Sequence, residues 1–146
     1  MPPNGGAVEV VHTVEIAAAP ETVWAVLSEL ERWPEWTASM RKVEPLDTPP
    51  FRLGARVRIK QPRAPTQVWT VTDLQEGRTF SWETHRPGIR SIAGHAVEPA
   101  RDGSQVTVSI RQSGLGARLL RFWLQRITAR YLEIEAAGLK ARCEGS

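Results

Sequence analysis

Cysteine, histidine, tyrosine and long apolar runs are all scarce in this chain of 146 residues. The single cysteine, Cys143, cannot form a disulfide within the chain, and this is typical of a protein of the reducing cytoplasm. No stretch reaches the roughly 18 apolar residues of a membrane-spanning helix, so we expect no stable membrane insertion. The N-terminus has neither the basic nor the apolar region of a secretory signal. We therefore expect a cytoplasmic location.

Blocks of one charge and metal-binding clusters are also missing. The 19 basic residues, 16 of them arginine, are interleaved with 16 acidic ones, which predicts a solvated surface rather than a nucleic-acid-binding block. The three histidines are scattered and no cysteine pair exists, so we predict no metal site and no cofactor. The run GLGARL imitates a dinucleotide-binding loop, but Leu119 replaces its third glycine and no βαβ unit can follow. Cys143 has no His or Asn neighbour that would make it a nucleophile.

Alternation of apolar and polar residues predicts strands in two parts of the chain. Residues 8–16 alternate, and their inward face would carry Val8, Val10, His12, Val14 and Ile16. From about residue 40 to 112, short alternating runs between turns predict about six strands in an antiparallel meander. Their inward positions include Val57, Ile59, Phe80, Trp82, Thr84, Ala93, His95, Val97, Val106, Val108 and Ile110. In the run 66–75 the phase stays open: either Trp69 and Val71 or Val68 and Leu74 face inward.

Helices are predicted on both sides of the meander. A first helix follows residue 16, with Pro20 near its start, and a second short helix begins near Pro34. Residues 114–144 are predicted to form one long helix. Its apolar stripe comprises Leu119, Leu120, Trp123, Leu124, Ile127, Tyr131, Ile134, Ala137 and Gly138. Arg130 falls close to the middle of this stripe.

The order of these elements predicts a cavity. One helix about 10 Å in diameter cannot cover a curved antiparallel sheet of six or seven strands from edge to edge. We therefore predict an α+β domain over residues 7–144, preceded by a disordered arm at residues 1–6. The uncovered space between the sheet and the long helix would suit a small hydrophobic ligand.

Four stretches carry a family resemblance: VEIAAAPETVWAVLSELERWPEW (14–36), TFSWETHRPG (79–88), GHAVEPARDGSQVTVS (94–109) and RYLEIEAAGLKARCE (130–144). In this order they resemble the START/Bet v1-like (SRPBCC) superfamily, and within it the bacterial polyketide cyclase/dehydrase and lipid-transport group. The resemblance covers nearly the whole chain and implies the helix-grip fold, in which a curved sheet wraps round the C-terminal helix. It implies no single activity, because the superfamily holds lipid carriers, polyketide binders, cyclases and interaction modules.

The resemblance also places the two tryptophans of the WPEW segment near the cavity mouth. Trp33 is expected in the core beneath the first helix, and Trp36 either in the core or in the cavity wall.

Two histidines and one arginine are the candidates for chemistry. His12 and His95 are in phase with apolar neighbours, and a buried neutral imidazole can act as a general base. The alternative is an interior histidine that only orients a neighbour. Arg130 would bind a ligand carboxylate or enolate oxygen, or else its head reaches the helix edge and meets Glu133 or an acid on a strand. His85 falls on the outer face and is expected to be solvated.

Function is predicted as binding of a small hydrophobic ligand, lipid-like, polyketide or aromatic, by a monomer or homodimer with no nucleic-acid partner. The predicted ligand-binding residues are Trp36, Trp69, Trp82, His95, His12, Trp123, Ile127, Arg130 and Tyr131. One alternative is an aromatic polyketide cyclase or dehydratase with a cavity histidine as general base. Another is a protein-interaction module with a filled cavity and an exposed apolar patch. Because paired inward acids are not apparent, the sequence favours binding over catalysis.

Overall fold

The structure, a computed structural model, describes residues 8–145, so the arm predicted at residues 1–6 lies outside it. The strands are β1 Val8–Ile16, β2 Lys42–Pro45, β3 Arg56–Lys60, β4 Gln67–Gln75, β5 Thr79–Arg86, β6 Ile89–Ala100 and β7 Gly103–Ser113. The helices are α1 Pro20–Ser28, a 3₁₀ helix Leu30–Glu35, α2 Leu115–Leu119 and α3 Arg121–Gly145. No helix among these residues has the length and apolar composition needed to cross a membrane.

All seven strands form one open antiparallel sheet in the order β1-β7-β6-β5-β4-β3-β2. The meander from β2 to β7 follows the chain, and β1 adds to the free edge of β7. The helix-grip fold that the family resemblance implies is therefore confirmed.

The inward faces of β5, β6 and β7 agree with the alternation in the sequence, while β4 changes phase part-way. Trp69 and Val71 are buried in the first half of β4. A bulge between Val71 and Asp73 then adds a residue, and Leu74 packs against the core further along. The phase with Trp69 and Val71 inward therefore holds before the bulge, and the phase with Leu74 inward holds after it, because a bulge reverses the side-chain alternation beyond it.

The C-terminal helix differs from the prediction of one continuous helix. It is interrupted at Leu120, whose backbone departs from helical values (φ −100°, ψ 18°). The amides of Gly116 and Ala117 both donate to the carbonyl of Gly88 in the β5–β6 turn, at 2.8 and 3.2 Å. We infer that this turn sets the direction of α2, whereas packing on the sheet sets the direction of α3.

The buried face of α3 is also rotated relative to the predicted apolar stripe, by roughly a third of a turn at 100° per residue. It comprises Leu124, Thr128, Leu132, Glu135, Ala136 and Leu139. Leu119, Leu120 and Trp123, which the stripe included, are exposed. The prediction failed because it assigned polar residues to solvent, whereas Thr128 and Glu135 are buried with hydrogen-bond partners.

Buried apolar side chains form two clusters. The larger lies between the sheet, α1, the 3₁₀ helix and the C-terminal half of α3, and contains the fully buried Trp33, Phe80 and Trp82. The smaller joins the start of β1 to α2 and the start of α3, through Val8, Ile89, Ala117 and Leu124. The long helix is thus held at both ends, with different partners at each.

Helix α3 comes very close to the end of the 3₁₀ helix at Gly138. A Cβ placed there would lie 1.9 Å from the carbonyl oxygen of Trp36, closer than any real Cβ contact. Only glycine lets α3 approach the end of the 3₁₀ helix this closely.

We predict that Gly138→Ala destabilises the protein by about 2 kcal/mol or more, because the helix must move away from the Trp36 carbonyl. Gly145→Ala is the matched control: it is in the same helix, and its added Cβ meets nothing within 4 Å. Urea denaturation of both variants tests this. Equal stability of the two variants would show that the contact at Gly138 is not close in solution.

Candidate functional site

A cavity of about 110 Å³ lies between the middle of the sheet and the first half of α3. Strands β3 to β7 supply its floor, α3 its opposite wall, and the β3–β4 loop one side. Its lining comprises Met40, Ile59, Gln61, Arg63, Ala64, Gln67, Trp69, Trp82, Arg86, Ser91, Ala93, His95, Ile110, Gln112, Trp123, Leu124, Ile127, Thr128, Tyr131, Leu132 and Glu135. The cavity therefore borders both apolar clusters, because Leu124 belongs to the smaller and Leu132 to the larger.

Indole rings form much of the apolar wall. Trp69 and Trp82 are buried on neighbouring strands with ring centroids 6.3 Å apart. Trp123 of α3 also lines the cavity but is 54% exposed, which places it at the mouth. The tryptophans therefore offer flat apolar surfaces to a ligand from both the sheet and the helix.

A buried histidine–glutamate pair joins the sheet to the helix at the cavity. His95 Nε2 of β6 lies 3.1 Å from Glu135 Oε2 of α3, and the two side chains are only 2% and 7% exposed. The His95 ring stacks on Phe80 with centroids 4.2 Å apart and planes 9° from parallel. Phe80 and Glu135 together fix the imidazole orientation.

Two polar atoms of lining residues are buried without a partner among the described residues: His95 Nδ1 and Gln112 Oε1. Gln112 Nε2 donates to Ser91 Oγ at 3.0 Å. This bond orients the amide, and its oxygen Oε1 has no partner among the described residues. When His95 Nε2–H donates to the Glu135 carboxylate, Nδ1 carries the lone pair of the neutral ring. In this neutral tautomer both unpartnered atoms are acceptors, and a buried acceptor calls for a donor.

Hydrogen bonds hold the β3–β4 loop in place beside the mouth of the cavity. The Tyr131 hydroxyl of α3 donates to the carbonyl of Pro62, and Lys60 Nζ donates to the carbonyl of Ala64. Burial raises the pKa of Tyr131, with the positive charge of Arg63 opposing this, so the phenol stays protonated and able to donate. The loop that carries Arg63 is thereby fixed to the helix.

Six of the nine predicted ligand-binding residues line this cavity: Trp69, Trp82, His95, Trp123, Ile127 and Tyr131. The structure brings them together from β4, β5, β6 and α3. Whether they contact a ligand stays a prediction.

Three predicted residues lie elsewhere. Trp36 is buried against Trp33 with ring centroids 4.9 Å apart and is not part of the cavity wall. His12 faces inward but lies on the edge strand β1, separated from His95 by Val108 of β7, and does not reach the cavity. Arg130 is exposed, because the true buried face of α3 is rotated away from it.

The prediction that Trp33 is a core residue is confirmed, and its indole N–H donates to the Leu27 carbonyl at 3.0 Å. His85 is exposed on the outer face, as expected.

Sequence reasoning missed Glu135, Gln112, Ser91 and Thr128. The signal for Glu135 was present in its spacing, since it follows Thr128 by seven residues and Tyr131 by four, which places all three on one side of a helix. Glu135 is a single inward acid, so it does not form the pair of inward acids that the sequence analysis looked for. Among residues 8–145, no three His, Cys, Asp or Glu side chains are grouped so that they could hold a metal ion.

The sequence profile of the family described as "Polyketide cyclase / dehydrase and lipid transport" matches residues 7–144. The chain belongs to this family. A comparison with curated protein sequences finds no match.

Solved structures share the fold of this polyketide cyclase/dehydrase and lipid-transport family member. A START superfamily protein from Mycobacterium smegmatis is 16% identical, with a TM-score of 0.77 over 92% of this chain and 96% of that one. The Zhui aromatase/cyclase from Streptomyces sp. R1128 is 18% identical, with a TM-score of 0.74 over 92% of each chain. The di-domain ARO/CYC StfQ of the steffimycin biosynthetic pathway is 14% identical, with a TM-score of 0.75 over 94% of this chain and 50% of that one. At these identities the likeness concerns the fold.

We predict that Glu135→Met alone destabilises the protein by about 3 kcal/mol, because it leaves the buried His95 ring without its partner. The double variant His95→Phe, Glu135→Met should regain most of this loss, since phenylalanine can keep the stacking on Phe80. A double-mutant cycle measured by urea denaturation tests the coupling. Simply additive losses would show that the two side chains do not interact in solution.

Proposed function

We propose that the protein binds a small ring-containing molecule that carries a hydroxyl or N–H group, in the cavity between the sheet and α3. The observation that carries this proposal is that two polar atoms of lining residues, His95 Nδ1 and Gln112 Oε1, are buried with no hydrogen-bond partner among residues 8–145, in a cavity whose other walls are largely aromatic and aliphatic. Family membership supports a ligand-binding or polyketide cyclase role in general.

Cavity size supports a single ring rather than a long chain. The volume of about 110 Å³ is somewhat smaller than the roughly 150 Å³ cavity that accepts benzene in an engineered protein. A larger ligand would have to extend through the mouth, beside the half-exposed Trp123. Burial of about 200 Å² of ring surface yields about 5 kcal/mol at 25 cal/mol/Å², so the dissociation constant would be on the order of 100 µM or weaker.

Hydrogen bonding supports a donor on that ring. A hydroxyl reaching either acceptor would satisfy an atom that is otherwise buried unpaired, and a typical hydrogen bond contributes about 1 kcal/mol. The indoles of Trp69 and Trp82 would contact the ring itself. A cavity with both a hydrogen-bond acceptor and indole walls should bind a phenol more tightly than a hydrocarbon of the same shape.

We therefore predict that p-cresol quenches tryptophan fluorescence with about fivefold higher affinity than p-xylene, which has nearly the same shape but no donor. Ala93→Ile should weaken both ligands, because it extends a side chain into the cavity. Ala96→Ile is the matched control, since residue 96 is on the same strand but on the outer face.

Two results would contradict this prediction. If neither ligand changes the fluorescence at millimolar concentration, the cavity does not take a single ring. If the two ligands bind equally well, the acceptors of His95 and Gln112 play no part in recognition.

A second candidate function, aromatic polyketide cyclisation or dehydration, is favoured by the His95–Glu135 pair. An imidazole oriented by a carboxylate is a common arrangement for a general base. Two structures with the same fold are named as an aromatase/cyclase and an ARO/CYC protein. In such a reaction His95 would remove a proton adjacent to a substrate carbonyl. The interaction-module alternative has less support, because it requires a filled cavity.

For this second candidate we predict that His95→Ala lowers turnover of an aromatic polyketide precursor by about 10²-fold or more. His12→Ala and Arg130→Ala should leave the rate unchanged, since neither residue reaches the cavity. Single-turnover product analysis on all four proteins tests this. If the wild type and His95→Ala proteins give the same rate, the cavity only binds and the catalytic candidate is excluded.

A further inference from the structure

Exposed apolar side chains are concentrated where α2 meets α3. Five of the eight large exposed hydrophobic residues of the described chain lie within nine consecutive positions. They are Leu115 (66% exposed), Leu119 (76%), Leu120 (47%), Phe122 (81%) and Trp123 (54%), and together they are called the α2–α3 patch below. Single exposed hydrophobics are ordinary, but a contiguous group marks an interaction surface.

The same part of the chain is strongly basic. Between Asp102 and Glu133 the sequence contains five arginines and no acidic residue. Four of them, Arg118, Arg121, Arg126 and Arg130, are exposed and have no ion pair with any residue in the range 8–145. Arg121 stacks over the Phe122 ring, 5.0 Å from its centroid. The expectation of evenly interleaved charge therefore fails for this segment.

Helix geometry places arginines beside the apolar rings. Phe122, Arg126 and Arg130 are spaced four residues apart in α3, so they form one row along the exposed side of the helix. Trp123 is three residues before Arg126, on the adjoining side. A helix with aromatic rings in one turn and arginines one and two turns further can insert the rings into the apolar layer of a bilayer. Its guanidinium groups then remain at the level of the charged head groups.

We propose that the α2–α3 patch and these four arginines dock on the surface of an anionic phospholipid bilayer. A second copy of the chain is a poorer occupant, because a twofold contact would bring the arginines of both copies together. An acidic protein would satisfy the arginines but would leave unexplained the position of Trp123, which belongs both to the patch and to the cavity lining. An anionic bilayer would bury the aromatic rings of the patch, neutralise the charge of the four arginines and lie against the cavity mouth beside Trp123.

The proposal does not depend on which ligand the cavity holds. Docking would place the mouth beside Trp123 against the bilayer, so an apolar molecule could pass between lipid and cavity without crossing water. The contact is peripheral, made by side chains at a helix junction.

Binding to vesicles tests the proposal. The full-length protein should sediment with vesicles of phosphatidylcholine and phosphatidylglycerol but not with phosphatidylcholine alone, and binding should fall between about 0.05 and about 0.5 M salt. Arg126→Gln with Arg130→Gln should weaken binding about thirtyfold, the effect expected for two arginines at an anionic surface. Leu119→Ser with Phe122→Ser should weaken it at least about tenfold.

Matched controls separate the patch from general charge and hydrophobicity. Arg78→Gln with Arg101→Gln removes the same charge from turns at the opposite end of the sheet, about 40 Å along β6. Leu53→Ser removes an exposed leucine outside the patch. Both controls should bind vesicles as the wild type does. Trp123→Phe keeps an aromatic ring in the patch, so this variant should still sediment with anionic vesicles but lose the blue shift of tryptophan emission that accompanies docking.

Several outcomes would overturn the proposal. They are no binding to anionic vesicles, equal weakening by the control variants, and equally tight binding to soluble polyglutamate, which would favour an acidic protein partner. A wild-type dimer that becomes monomeric in the Leu119→Ser, Phe122→Ser variant would assign the patch to self-association instead. All patch substitutions are at exposed positions, and a thermal melt of each variant confirms that it is folded.

Discussion

One helix, α3, must cover the inner face of a seven-stranded sheet. Where α3 contacts the sheet and the short helices, the core is packed, and where it does not, a cavity remains. At its C-terminal half, α3 comes so close that only Gly138 fits against the Trp36 carbonyl. Lys140 and Glu144 then bond the end of the helix to the backbone of Glu15 and Ala17. At its N-terminal half the helix rests on the smaller apolar cluster through Leu124. Between these two supports it does not fill the space over the sheet, and the cavity is what remains.

The His95–Glu135 pair crosses this space and is difficult to explain by stability alone. Removing two ionisable groups from water costs several kcal/mol, and apolar pairs of similar volume are often as stable or more so. The sheet and helix are already joined by the apolar contacts of Leu132, Ala136 and Leu139. What the pair adds is a fixed orientation of the ring, which stacks on Phe80 and bonds to the carboxylate of Glu135. Its Nδ1 has no partner among the described residues. A group held in this manner is prepared to meet a polar atom of a ligand, whether or not a reaction follows.

The sequence predicted the sheet more reliably than the helix, for a physical reason. A strand with one buried face alternates at every residue, so Phe80, Trp82, Ala93 and His95 could be assigned individually. Only the bulge in β4 defeated this rule, because an inserted residue leaves little trace in composition. The predicted phase of α3 depended on grouping its apolar residues, which left Thr128 and Glu135 on the side assigned to solvent. Glu135 is buried instead, because it has a partner 40 residues away on β6. Its spacing from Tyr131 indicates its side of the helix, but no local pattern reveals the partner.

The misassigned stripe of α3 also shows why its first turns are unusual. Leu119, Leu120 and Trp123 entered the predicted core stripe because an apolar residue on a helix normally marks the buried side. The structure exposes them, while Leu124, Leu132 and Leu139 occupy the buried side. The α2–α3 segment therefore has apolar residues on two faces, which merge into one broad stripe on a helical wheel. Arg130 looked like a charge within a core because it lies beside the exposed face rather than the buried one. A second apolar face, flanked by arginines that have no ion pair among the described residues, contributes nothing to the core, and the proposed docking on an anionic bilayer would cover it.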